Sequence, residues 1–162
     1  MLIPLPDAVA IAVSSLMWVV IGFVTGWHYH RRPAPRFAVD NWLTRPRDFE
    51  AGGRWYQRRL RIRAWKDKLP EKGDLFRGGF SKRHLTDRST SHLERFVAET
   101  RRAEMVHWSN LAAGPVFLIW CPPLLGGCMI VFGVVAHLPF ITVQRYNRER
   151  LTAILDRRRV RR

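Results

Sequence analysis

Apolar and polar positions are sorted into blocks along this chain rather than mixed. Ala8 to Trp27 is twenty residues without a charge, with Ser14, Ser15 and Thr25 as its ordinary polar side chains. A helix of that length rises roughly 30 Å, the thickness of a bilayer core. The residues before it, Met1 to Asp7, carry no positive charge, and its Ala-x-Ala patterns stand at its start. Both features argue for a retained helix over a cleaved signal peptide.

A second apolar block, Met105 to Val143, has no Asp, Glu, Lys or Arg. As one helix it would reach roughly 58 Å, too long for one span. Pro122-Pro123 and Gly126-Gly127 interrupt it near the middle, so the pattern predicts a hairpin with arms Ala103 to Cys121 and Leu124 to Val143. Pro115 weakens the first arm, which is expected to be fully spanning, kinked or re-entrant. The expected count is three membrane segments.

The fold class expected is therefore an all-α membrane protein. Its parts are an N-terminal transmembrane helix (1–30), a basic cytoplasmic or interfacial helical section (31–102), a membrane hairpin (103–144) and a basic cytoplasmic tail (145–162).

Charge supports this division. The chain has 162 residues, 28 Lys+Arg, 13 Asp+Glu and a net charge of +15. Of the basic residues, 20 lie between Arg31 and Arg102 and 8 between Arg145 and Arg162, with none in the apolar blocks. The positive-inside tendency then puts the middle section and the tail in the cytoplasm and the short N-terminus outside, in a multi-pass membrane protein. Trp27, Trp108 and Tyr146 fall near the expected interfaces, where amphipathic aromatics collect.

Within the middle section, Arg31 to Pro35 reads as a stiff linker. Glu50 to Leu69 reads as one helix with Trp55, Ile62, Trp65 and Leu69 on one face and arginines and lysines elsewhere. Such a helix lies in the membrane interface or packs on its neighbours. Pro70 to Gly79 reads as loop, and Thr90 to His107 as a helix entering the bilayer. The section's net charge of +11, from 20 basic and 9 acidic residues, is explained by an anionic leaflet alone, at about 1 kcal/mol per basic residue. Nucleic-acid binding would also use such charge, but no reader motif accompanies it, so no nucleic-acid partner is expected. Cys121 and Cys128 suggest unpaired thiols, and no metal-ligand spacing occurs.

The candidate chemistry is concentrated in Glu99-Thr-Arg-Arg-Ala-Glu-Met-Val-His-Trp108. Glu104 and His107 are three residues apart and share a helix face, as do Glu99 and Arg102. A carboxylate beside an imidazole can hold a general base in the right tautomer. The plainer reading is that both side chains snorkel to the interface. An antiparallel hairpin brings Gln144 to Arg148 beside Arg101 to His107. Arginines there either bind phosphate or carboxylate or merely mark the end of a span. His137 is intramembrane but isolated, expected to pack or bond to a neighbouring helix. His84 and His92 have no ligand-spaced partner.

Trp65-Lys66 with Leu69-Pro70, then Glu99 to Trp108, then Pro139-Phe-Ile-Thr-Val-Gln-Arg-Tyr-Asn-Arg-Glu-Arg-Leu151 together resemble the glycosyl-4,4'-diaponeurosporenoate acyltransferase family. The resemblance covers Trp55 to Leu155. It implies a membrane O-acyltransferase that esterifies a sugar hydroxyl of a glycolipid, a carotenoid glycoside or related. It also implies no cofactor, an acyl thioester such as acyl-CoA as co-substrate, and membrane lipids as partners. Carried over residue by residue, it points to Glu99, Arg102, Glu104, His107 and Trp108, and to Gln144, Arg145, Tyr146, Asn147 and Arg148. On that footing His107, oriented by Glu104, is the expected base and Asn147 or Gln144 the oxyanion donor. Arg145, Arg148 and basic residues of the middle section would hold donor phosphates. The rival expectation is a non-catalytic membrane scaffold that binds anionic lipid or a membrane-protein partner.

Overall fold

The computed structural model describes residues 2–69 and 89–161. The predicted loop Pro70 to Gly79 and His84 lie outside the described residues. Among those described, the structure is helical throughout, with no strand. Four α-helices carry it: α1 (Asp7–His30), α2 (Arg54–Leu60), α3 (Thr90–Ala113) and α4 (Pro123–Val160). Short 3₁₀ turns fill most of the intervals between them.

Helix α1 realises the first predicted span. Pro6 sets its start, Asp7 meets the positive end of its dipole, and His28 and His30 occupy its last turn. Only Ala10 and Ser14 are buried along it, so most of its apolar surface is exposed. Helix α3 starts at Ser89, whose side chain accepts the His92 N–H at 3.3 Å. It ends at Ala113, just ahead of Gly114-Pro115, and the chain continues as a 3₁₀ turn over Gly114–Ile119. A proline N–H is missing where α-helix would need it.

The first hairpin arm is thus an eleven-residue stretch of α-helix from Ala103 followed by 3₁₀ turns, broken at Pro115. Two helices, α1 and α4, are long and apolar enough to cross a membrane. The three segments expected are present as these two helices and this shorter arm.

Pro122-Pro123 turns the chain as the sequence predicts, with Pro122 as the N-cap of α4. That helix does not stop near Val143. It runs 38 residues through Pro139 to Val160, about 57 Å of rise. The boundaries drawn at 102/103 and 144/145 therefore fall inside α3 and α4. Beyond the apolar part, Leu151 and Leu155 of α4 pack on Leu93, Phe96 and Val97 of α3 in a buried cluster. The basic tail is thereby one side of a helix pair, because its leucines repeat at helical spacing.

The N–H groups of Leu2 and Ile3 bond to the carbonyl of Ile119, which ties the N-terminus to the hairpin tip. From there α1 and α4 run parallel, with α3 antiparallel to both. Side chains of α1 close the bundle: Thr25 donates to Asn110 at 2.5 Å, Tyr29 meets Ser109 at 3.0 Å and the Trp120 indole donates to Ser14 at 3.0 Å. Gly133 of α4 makes room for Trp18. A Cβ at that glycine would stand 2.7 Å from the indole ring.

The Glu50 to Leu69 helix is corrected. It is broken into a 3₁₀ turn over Asp48–Gly53, the seven-residue α2, and 3₁₀ turns at Ile62–Ala64 and Lys66–Lys68. Positive φ at Ala51, Gly52, Gly53 and Arg61 makes the breaks. Ile62 is buried with Tyr56 against Tyr146 of α4, while Trp55 and Trp65 are half-buried at the edge of that cluster. Tertiary contact with α4 decides this segment, not helical periodicity.

Candidate functional site

Four segments meet where α3 and α4 leave the apolar zone, and a chain of alternating charges joins them. Glu104 of α3 has no solvent exposure. Its Oε1 accepts from Arg145 Nη1 at 2.7 Å and from the Trp108 indole at 3.1 Å. Its Oε2 lies 2.6 Å from Arg148 Nη1, an ion pair out of line for a hydrogen bond. Arg145 also donates to Glu50 at 2.6 Å and to the carbonyls of Leu43 and Arg45. Arg148 donates to the Thr44 carbonyl at 2.6 Å and stands 3.9 Å from Asp40. Asp40 in turn takes a two-pronged bond from Arg101 at 2.7 and 2.8 Å.

Ionisation follows from this packing. Burial pushes the Asp40 carboxyl up, but Arg101 and Arg148 outweigh it and hold the group below its usual value. Glu50 behaves alike: burial opposes its charge, and bonds from Arg145, Tyr56 and the Arg47 N–H reverse the balance. The Tyr56 hydroxyl is raised, first by burial and then by the carboxylate of Glu50, to which it donates at 2.6 Å. Burial works against the Arg145 guanidinium, yet Glu50 and Glu104 raise it further. Glu149 is raised, by burial first and by Glu50 second.

These contacts correct three expectations. Arg145 and Arg148, expected to hold donor phosphates, are buried and committed to carboxylates and backbone carbonyls. Glu104, expected to orient His107, has its carboxylate taken up by two arginines and an indole. Tyr146 is buried against Ile62 and Tyr56 rather than presented to a ligand. The Glu99–Arg102 pair forms as predicted at 2.8 Å. Arg102 also donates to the Arg32 carbonyl and lies over the Phe37 ring, so it joins α3 to the end of α1.

One turn deeper, His107 stacks on Phe140 at 4.7 Å between ring centres, and its Nδ1 lies 3.1 Å from His137 Nδ1. His137 is therefore not isolated. In a neutral pair one ring donates through Nδ1 and the other accepts. The donor ring then has a bare, basic Nε2, and the acceptor ring carries its proton on Nε2. Trp18 of α1 packs 5.7 Å from the His137 ring, and its buried indole N–H has no hydrogen-bond partner among the described residues. Gln144 and Asn147 sit about 6 and 10 Å beyond Phe140 along α4. His107 contacts α4 at His137 and Phe140, and Asn147 lies about two turns further along that helix.

Trp18, Asp40, Glu50 and Tyr56 are the members that sequence reasoning missed, while His137 bonds to a neighbouring helix as expected, its partner being His107. His137 lies thirty residues from its partner, and Glu50 lies 95 from Arg145, so no local period joins them. An intramembrane histidine on the arm facing His107 was the one available signal.

Among the described residues no group of three or more His, Cys, Asp or Glu is arranged to hold a metal. No solved structure matches the chain. Residues 40–157 match the family model of glycosyl-4,4'-diaponeurosporenoate acyltransferase. Relatives of that name from Staphylococcus aureus strains RF122 / ET3-1 and USA300 are each 30% identical over 141 residues. The match covers 87% of this chain and 85% of each relative. A relative of the same name from strain MRSA252 is 29% identical over the same span. With most of its length accounted for, including both arms that carry the charge lattice and the histidine pair, the chain belongs to the glycosyl-4,4'-diaponeurosporenoate acyltransferase family.

Proposed function

We propose that the protein is a membrane O-acyltransferase that esterifies a sugar hydroxyl of a carotenoid glycoside or related glycolipid, working at the cytoplasmic face of a bacterial cell membrane. The observation that carries the class of reaction is the family match over 40–157. The two apolar helices and the basic ends of α3 and α4 support the location.

His107 and His137 are the reacting pair. The bare Nε2 of one imidazole takes the proton of the sugar hydroxyl as its oxygen attacks the acyl carbonyl. The new C–O bond forms, the thioester C–S bond breaks, and the imidazolium returns the proton to the departing thiolate. The oxyanion formed in between needs a donor in a dry site. We assign that part to the indole N–H of Trp18, in place of Gln144 and Asn147. Both acyl and carotenoid chains remain in lipid, against the exposed apolar face of α1. The Glu50–Arg145–Glu104–Arg148–Asp40 lattice acts on positioning, by fixing α3 against α4 one turn away. Tyr56 and Trp108 extend the lattice without touching substrate.

The test is comparison of lipid extracts from cells with and without the gene by mass spectrometry. Loss of an acylated glycolipid and gain of its unacylated precursor is expected. Unchanged lipids overturn the reading and favour the scaffold.

A further inference from the structure

On the outer side of the charge lattice, the short helix α2 forms a groove of about 450 Å³ between Phe49, Trp55 and the guanidinium-bearing Arg54, Arg58 and Arg59. A second groove of about 310 Å³ shares Ala51 and Arg54 with the first and adds Arg150 and Arg157 from α4. Among the described residues no acidic side chain lines either groove. Five arginines thus converge without a neutralising carboxylate in the lining, whereas the arginines of the lattice beside them are all paired. Guanidinium groups with no carboxylate beside them in two adjoining grooves are suited to phosphate, which they bind by two parallel N–H bonds.

Two more features narrow the ligand. Phe49 and Trp55 meet edge-on, with ring centres 5.3 Å apart, in the same groove as the arginines. Flat π-surface beside guanidinium groups suits a planar base attached to phosphates better than a lipid headgroup, which has no ring to stack. The distance fits as well. Arg150 stands thirteen residues beyond His137 on one continuous helix, about 20 Å of rise, a length of the order an extended phosphopantetheine arm covers. The bend that presents Arg54 is fixed by the left-handed run Ala51, Gly52 and Gly53, with φ of 48°, 65° and 84°. The last glycine is pressed against Tyr146, where a Cβ would stand 3.3 Å from the ring. Only Ala51 bears a steric cost for its positive φ here, and such a residue is kept where a backbone must be held in one shape.

We propose that this arginine–aromatic groove binds the nucleotide phosphates of a coenzyme A thioester, placing the base over Phe49 and Trp55 and sending the acyl-bearing arm along α4 toward the histidine pair. The inference rests on the acyl-transfer reading and names the donor for it. It also moves the donor-binding role from Arg145 and Arg148 to Arg54, Arg58 and Arg59.

The test uses the full chain in nanodiscs of neutral lipid, with coenzyme A binding followed by calorimetry in the absence of acceptor. Coenzyme A is expected to bind and pantetheine, which lacks the phosphates, is not. Replacing both exposed arginines, Arg58→Ala with Arg59→Ala, is expected to weaken coenzyme A roughly tenfold or more, and the paired Arg→Lys changes less. Binding of coenzyme A and pantetheine alike, or unchanged affinity in the double alanine variant, overturns the assignment. So does a variant that loses only a preference for phosphatidylglycerol nanodiscs, because the groove then reads lipid. Because binding is measured without turnover, the two proposals fail separately. Arginine-dependent coenzyme A binding with no acyl transfer removes the function and leaves the groove, while acyl transfer without coenzyme A binding does the reverse.

Discussion

Glu104 shows how a single carboxylate can carry a fold. It has no exposure to solvent, and Arg145 and Arg148 both lie against it. Removing it strands two buried guanidinium groups, a change that costs about 3–5 kcal/mol. Glu104→Ala in detergent is therefore expected to lower the unfolding midpoint strongly, and a variant that melts within a degree of the native protein would contradict the lattice. Acid has a related effect. The Asp40 and Glu50 carboxyls sit below their unfolded values, so the stability they add is complete above about pH 4 and is lost as pH falls through their folded values. Titration of thermal stability from pH 6 to pH 3 is expected to show a steep decline, opposed only weakly by Glu149, whose shift runs the other way. At the histidine pair, His107→Ala is expected to abolish acylated product while the inserted, folded protein persists. Trp18→Phe is expected to reduce turnover about a hundredfold, the usual loss for one oxyanion donor. Assays of turnover beside melting curves separate these effects from misfolding.

At the scale of elements, α4 gathers most of the structure. Its apolar half packs on α1 and α3, and its basic half continues the packing against α3. Leu151 and Leu155 anchor that outer half in the cluster with Leu93, Phe96 and Val97. Leu151→Ala is expected to cost about 2–5 kcal/mol, the range for emptying a buried leucine site, read as a shift in the denaturation midpoint. The sequence made α1 legible, because a twenty-residue uncharged run admits one structure in lipid. It also marked the turn at Pro122-Pro123, since prolines cannot continue the arm before them. It did not mark the continuity of α4 past Val143. A change from apolar to basic residues signals a change of solvent, and a helix passes through such a change unbroken when its residues favour helix on both sides. The segment from Glu50 to Leu69 misled for the opposite reason. Its aromatic spacing fits one helix, but Tyr56 and Ile62 are drawn onto Tyr146, and left-handed residues at Ala51 to Gly53 and at Arg61 bend the chain to reach it.

For the whole molecule, the order of blocks along the chain determined the class of protein. Uncharged runs long enough to span lipid and arginines confined to the intervals leave little freedom for anything else, because unpaired charge and unsatisfied backbone are both too costly in hydrocarbon. The short motifs around Glu104, His107 and Arg145 were likewise readable as candidates, since ionisable groups near a bilayer need a reason to be there. Only the tertiary structure decided which candidates were chemistry and which were framework. It drew Arg145 and Arg148 inward to Glu50, Glu104 and Asp40, and it set His107 against His137. The physical reason is that a buried charge takes whatever opposite charge the fold delivers to it, and the partners here come from segments as distant in sequence as Asp40 and Arg148, beyond the reach of any local pattern.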